Sequence, residues 1–376
     1  MKKFVSILML VVMLVSISTV VLAEAAPSDP TVRLALVGAW HVHTQMYVNR
    51  VLNAEDGKCQ FVAVWDHDAE RGKQFAETLN VPYYENLDDV LNNPEINAVM
   101  IEAETNLHKD LVIKAANAGK NIFCEKVLTT NMEDALEMKE AVERSGVKFV
   151  VSHESIPTSA YMYARKLVDE GALGDIISIY FRRAHGMLTS GDGINGNLRD
   201  DWMDKETAGG GALMDLGVHG MSMLPFYAKS KPVKVSSAMR EWKDSGCDSS
   251  ATIMIEFENG AIGVAHTDMI TSIMTNNLEI LGTRGQLLVV GDDLYLNSLE
   301  IEEYSEGMNL IDPAVYAGDN VVPLNWFIDF VYDTENTDQY IPYVGMDEAL
   351  TVVGIAEAAY ESYEQGGIPI AVKQED

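Results

Sequence analysis

Between Val32 and Val151 five short runs of mostly apolar residues alternate with stretches of helical character. The runs are Leu34–Val37, Phe61–Trp65, Ala98–Ile101, Asn121–Cys124 and Lys148–Val151, and the stretches between them include Asp68–Leu79 and His108–Ala118. A strand apolar on both sides has to be covered on both sides, and strands joined through helices run parallel. The pattern predicts a doubly wound parallel sheet, whose ligands bind beyond the carboxyl ends of the strands.

At 376 residues the chain exceeds what one compact core holds and suits two domains. From about Ser152 the texture changes. A helix is expected at Ala160–Glu170, a strand at Ile176–Arg182, a Gly/Asp-rich loop at Ser190–Gly211 and a helix near Ala212–Ala228. Alternating runs follow at Val233–Met239, Ala251–Phe257, Ala261–Thr267, Leu278–Leu281 and Gln286–Val290, with a hairpin turn at Glu258–Gly260. Helical segments at Trp326–Asp333 and Met346–Gln365 close the chain. The fold class is therefore α/β: a Rossmann domain over 32–151, then an α+β domain with an open, mostly antiparallel sheet over 152–372.

The first 25 residues stand apart. Lys2 and Lys3 precede an apolar stretch from Phe4 to Ala23, with small residues at Ala23, Ala25 and Ala26. This is the layout of a Sec-type export signal, with an uncleaved membrane anchor as the alternative. No arginine pair precedes it, which speaks against the twin-arginine route. The folded part is then periplasmic, cell-surface or secreted. A net charge of −30 argues against a nucleic-acid partner, whose phosphates are met by Lys and Arg. Cys59, Cys124 and Cys247 are too scattered for a disulfide framework and read as small buried hydrophobes.

Gly38, after the first strand, permits a tight turn whose amide N–H groups can face a pyrophosphate. Trp40 and His43 stand where two further glycines usually lie, so a plain strand-to-helix turn explains this loop equally well. Asp66 follows the second strand and can accept both ribose hydroxyls of NAD while repelling the extra phosphate of NADP; a solvated turn aspartate is the plainer alternative. Glu125 and Lys126 end the fourth run, where a lysine can reach a nicotinamide ribose and a substrate hydroxyl together. "GGGALMDLGVHG" spaces Asp215 and His219 four apart, on one helical face, a pair suited to taking a proton from an alcohol. A glycine-capped helix with a structural histidine is the alternative. His41 and His43 hint at a metal, but no third ligand lies near them in sequence, so no metal is expected. "SGDGINGNLRDD" lacks calcium-loop spacing and reads as a lid.

Taken together, "FVAVWDHDAER", the spacing from His108 to Ala118–Lys120, Glu125–Lys126, "GGGALMDLGVH" and "LEILGTRGQL" resemble the glucose-fructose oxidoreductase / inositol dehydrogenase (Gfo/Idh/MocA) family. The likeness runs from about Val32 to Val372. It implies an N-terminal Rossmann domain and a C-terminal domain whose open sheet serves substrate binding and oligomer contacts. Lys126 matches the lysine of the family's Glu-Lys-Pro motif, which binds cofactor and assists catalysis. Asp215 and His219 match its substrate and acid/base pair, with His219 the general base oriented by Asp215. Gly38 and Asp66 match the phosphate turn and the ribose-binding acid, while Asp201 and Trp202 are candidates to touch substrate. Three departures lie on the cofactor side: Val127 replaces the motif's proline, Trp40 and His43 replace glycines, and Ala103–Glu104 replaces a Thr-Pro pair. Trp40 and His41 are the candidates to stack on or hydrogen-bond the cofactor instead.

The resemblance implies an NAD-dependent oxidoreductase acting on a sugar- or cyclitol-like alcohol, as a homo-oligomer, and the N-terminal segment adds the expectation that it is exported. A glycosidase using bound NAD for oxidation, elimination and re-reduction is the alternative. A carbohydrate-binding protein with a lost cofactor site is the third reading.

Overall fold

Strands of four to seven residues with nearly every side chain hidden need helices above and below, and the chain supplies both layers. The structure is a computed structural model that describes residues 31–190, 200–271, 273, 276–318, 321–332 and 341–374. The expected export segment (1–25) and much of the expected lid lie outside the described residues. The first sheet comprises β1 (Val32–Val37), β2 (Cys59–Trp65), β3 (Tyr83–Tyr84), β4 (Ala98–Ile101), β5 (Asn121–Cys124) and β6 (Phe149–Val151). All are parallel, in the order β3-β2-β1-β4-β5-β6. Helices α1 (Thr44–Leu52), α2 (Ala69–Leu79), α3 (Leu87–Leu91), α4 (His108–Asn117) and α5 (Met132–Ser145) make the crossovers. The two-residue β3 escaped the sequence reading because it is too short to show a period. The strand order runs outward in opposite directions from the β1–β4 boundary, which opens a crevice beyond their carboxyl ends.

The second sheet has nine strands: β7 (Ile176–Ala184), β8 (Pro232–Glu241), β9 (Asp248–Phe257), β10 (Ile262–Asp268), β11 (Asn277–Gly282), β12 (Gly285–Val290), β13 (Asp293–Ser298), β14 (Asn309–Leu310) and β15 (Ile370–Ala371). Their order is β14-β13-β12-β11-β7-β10-β9-β8-β15, and only the β7–β10 pair is parallel. The helices of this half are α6 (Ser159–Asp169), the single turns α7 (Met187–Ser190) and α8 (Lys205–Ala208), α9 (Val218–Ala228), α10 (Pro323–Tyr332) and α11 (Met346–Glu364). Helix α9 packs on β7 and β10, and α11 on β8. Helix α10 crosses back to the first sheet, against β1, β5 and β6, where Phe327 meets Phe123 at 5.9 Å between ring centres. The amide of Val151, in β6, donates to the carbonyl of Val344.

The three glycines before α9 are explained by close approach. A Cβ on Gly211 would lie 1.9 Å from the backbone oxygen of Asp248. The Asp248 carboxylate accepts from the amides of Gly211 (3.2 Å) and Leu213 (2.7 Å) and from the hydroxyl of Tyr360 (2.7 Å). This clamp fixes the start of the segment that carries Asp215. Gly211→Ala forces backbone apart, so it should cost about 2 kcal/mol or more. Urea unfolding monitored by circular dichroism checks this, with Gly119→Ala, whose Cβ meets nothing within 4 Å, as the milder comparison.

Candidate active site

The turn after β1 is held shut by its own chain. Gly38 sits at φ +75°, its amide donates to the carbonyl of Trp65, and a Cβ there would lie 2.6–2.8 Å from Ala103. The Ala39 amide donates to Asp66 Oδ2 (2.9 Å), while those of Trp40 and His41 donate to the carbonyl of Glu102 (2.9 and 3.0 Å). The His43 amide reaches His41 Nδ1 at 3.2 Å. Trp40 therefore does not present its ring to an open groove. Its indole stacks on Trp202 at 4.6 Å and 16°, and its Nε1 donates to Asp201 Oδ2 at 2.9 Å. Trp202 and Asp201, expected to touch substrate, instead close the loop.

Asp66 lies at the carboxyl end of β2 as expected, but it is sealed in rather than left free for a ribose. Arg71, one turn into α2, makes two bonds to it (2.6 and 2.7 Å) and reaches Glu104 at 3.1 Å. Burial works against the Arg71 charge, yet the bonds to Asp66 and the fields of Asp66 and Glu104 outweigh it, and its pKa is raised. The sequence signal was present: Glu104 replaces an uncharged residue of the family pattern, and a buried acid calls for a cation.

Lys126 follows β5 and joins the two halves. Its Nζ donates to the carbonyl oxygen and to Oδ1 of Asp215, at 2.8 and 2.7 Å. Burial alone would raise the Asp215 carboxyl, but the Lys126 ammonium holds it below the usual range. Asp215 does not orient His219, contrary to expectation. Residues Leu213–Gly217 form a π-turn, whose wider winding takes the i and i+4 side chains out of line. His219 Nδ1 instead lies 3.0 Å from Ser155 Oγ, which accepts from Arg183 at 2.8 Å. Burial, then the positive charges of Arg183 and Lys126, pull the His219 pKa well below 6.5. Sequence reasoning missed Ser155 and Arg183, which lie outside any motif.

Glu125 is fully buried beside Lys126. Its Oε1 lies 3.2 Å from His43 Nδ1 and 3.5 Å from His41 Nδ1, and Glu154 Oε2 lies 3.4 Å from His43 Nε2. Burial lowers the pKa of His41 well below its ordinary value; at His43, burial is outweighed by Glu154 and Glu125, and the value rises. Trp40, His41, Lys126, Trp202, Met214 and Asp215 line a cavity of only about 20 Å³. Thus Lys126, Asp215, Trp40 and His41 meet at one point, Glu125 backs them, and Asp66 and His219 are each held by other partners.

Residues 32–153 match the family model described as the oxidoreductase family with an NAD-binding Rossmann fold, and residues 161–288 match the GFO/IDH/MocA C-terminal domain. The chain belongs to the Gfo/Idh/MocA family. It is 26% identical over 260 residues to 1,5-anhydro-D-fructose reductase of Ensifer adhaerens, covering 68% of this chain and 75% of that one. To trans-1,2-dihydrobenzene-1,2-diol dehydrogenase of Oryctolagus cuniculus it is 29% identical over 232 residues, 60% and 66% of the two chains. The fold is that of levoglucosan dehydrogenase, solved with NADH and L-sorbose: TM-score 0.75, 21% identity, 92% of this chain and 100% of the other. Fold class and family are therefore as the sequence implied, and the chain is an oxidoreductase with the NAD-binding fold.

The strand order is that of the NAD-binding fold, with the Gly38 turn after β1, Asp66 after β2 and Lys126 after β5. The cavity beside Lys126 and Asp215 is small, about 20 Å³, against the roughly 300 Å³ or more of a typical ligand pocket. Removing the cation from the neighbouring cluster, by Arg71→Leu, strands two buried carboxylates and should cost about 3 kcal/mol of stability. The test is urea unfolding, with Arg71→Lys retaining part of the loss.

Proposed function

We propose that the chain is an exported, NAD-dependent oxidoreductase that acts on a hydroxyl of a sugar- or cyclitol-like molecule. Residues 32–151 would take the coenzyme and 152–372 the substrate. The observation that carries the reading is the buried Lys126–Asp215 contact at the carboxyl end of β5. Export rests on Lys2, Lys3 and the apolar stretch to Ala23. The relatives named for work on anhydrofructose and on levoglucosan support the substrate class.

Each residue has a separable task. Lys126, fixed by two bonds to Asp215, offers its ammonium to the substrate oxygen as negative charge develops there. His219, kept neutral near pH 7 by burial and by Arg183, takes the hydroxyl proton, and Ser155 fixes the ring. The Gly38 turn and Lys126 would hold the coenzyme, which when bound supplies the hydride acceptor. The glycosidase reading uses the same side chains and is told apart by turnover of a glycoside without added NAD. We further propose that the outer face of the second sheet pairs with a second copy. Met254, Val264 and Tyr180 lie in one row across that face, and Met254 and Tyr180 are exposed. A monomer in light scattering would remove that pairing.

The decisive measurement is NAD released on denaturing the exported protein, followed by titration with NAD and a panel of sugars and cyclitols. Trp40→Gly, which restores a glycine and unpins the indole, should bind NAD at least tenfold more tightly than the parent, roughly the effect of relieving 1.4 kcal/mol of closure. His219→Gln should lower kcat by about a hundredfold or more. The base form of His219 persists below pH 6.5 because its pKa is depressed, so the acidic limb of kcat/KM should fall below that pH. Absence of NAD both from the parent and from Trp40→Gly defeats the reading.

A further inference from the structure

Two imidazoles and a carboxylate converge at a point that the oxidoreductase reading leaves without a proton-transfer role. His41 and His43 are two positions apart on the turn before α1, and Glu125 comes from the end of β5, 82 residues on from His43. One ligand atom from each of the three falls within a set spanning no more than 4.8 Å. The third ligand that the sequence did not show is thus supplied by the fold.

The spacing has a chemical meaning. Zinc bonds of about 2.05 Å at the tetrahedral angle place neighbouring donor atoms about 3.3 Å apart. Glu125 Oε1 stands 3.2 Å from one imidazole nitrogen and 3.5 Å from the other. The second carboxylate oxygen, Glu125 Oε2, is buried and has no hydrogen-bond partner among the described residues, and the same holds for Glu102 Oε1. A buried carboxylate oxygen left unpaired is costly, and the neighbouring Lys126 ammonium makes two bonds to Asp215. Glu154, beside His43 Nε2 at 3.4 Å, is placed to orient that ring, as carboxylates do behind metal-bound histidines.

We propose that His41, His43 and Glu125 bind a divalent transition metal ion through His41 Nδ1, His43 Nδ1 and the Glu125 carboxylate. Two nitrogens and one oxygen favour zinc, cobalt or ferrous iron over magnesium or calcium. The ion replaces the His43 amide as partner of His41 Nδ1. Three protein ligands leave a fourth position for water or a substrate oxygen, the pattern of a catalytic rather than a structural site. The inference does not rest on the oxidoreductase reading, since metal content is measured without NAD or substrate.

The test uses the full chain, stripped with chelator and reloaded with Zn²⁺ or Co²⁺. Elemental analysis after gel filtration should find about one equivalent per chain, and Co²⁺ should give visible bands of low-coordinate N/O ligation. His43→Ala and Glu125→Gln should each weaken binding at least tenfold, while His266→Ala, on the second sheet, leaves it unchanged. Circular dichroism confirms that the variants fold, and the Co²⁺ spectrum of the unmodified chain stands without them. Failure of the unmodified chain to retain metal, or equal loading of all variants, overturns the proposal in favour of a His43 imidazolium held between Glu125 and Glu154.

Discussion

The contact between Lys126 and Asp215 is what makes two sheets into one site. An ammonium taken out of water is expensive, and here two oxygens of a single residue compensate it, one from the backbone and one from the side chain. That double hold requires the backbone of Asp215 to face β5, and the π-turn at Leu213–Gly217 provides it. The turn in its turn depends on the Asp248 clamp and on Gly211, where a Cβ would strike a carbonyl. A constraint in β9 is thereby transmitted to a lysine after β5.

The crevice beyond β1 and β4 follows a different logic. In a phosphate-binding turn amide donors wait for a ligand. Here they are met by Asp66 and by the carbonyl of Glu102, and the indole of Trp40 is pinned by Trp202 and Asp201. Three buried acids, Glu102, Glu104 and Glu125, lie on this side of the sheet, with Glu104 paired to Arg71. Burial, then the neighbouring Glu125, raises the Glu102 pKa well above its ordinary value. The family's frame is retained, and the amides of its turn are bonded within the chain.

Much of the fold was legible because it rests on local period. The apolar runs at Leu34–Val37, Ala98–Ile101 and Asn121–Cys124 coincide with β1, β4 and β5, and Asn259–Gly260 marks the turn between β9 and β10. The site was legible in its residues and not in their pairings. Lys126, Asp215 and His219 were found by motif, yet the partnership of His219 with Ser155 is set by a π-turn that spacing rules for an α-helix cannot anticipate. The His41–His43–Glu125 cluster likewise joins residues far apart in sequence through the β1–β4–β5 neighbourhood. Arg71 was visible as a charge, but its burial follows from Glu104, on a separate strand end.

Helix α10 carries a consequence for how the chain is made. Strands β1, β5 and β6 are covered by a helix about two hundred or more residues further along the chain, with Phe327 closing over Phe123 and Val344 capping the edge at Val151. Contacts of such long separation form late, since the intervening loop has to close before they are rewarded. The N-terminal sheet therefore stays incomplete, its apolar flank bare, until synthesis is almost finished.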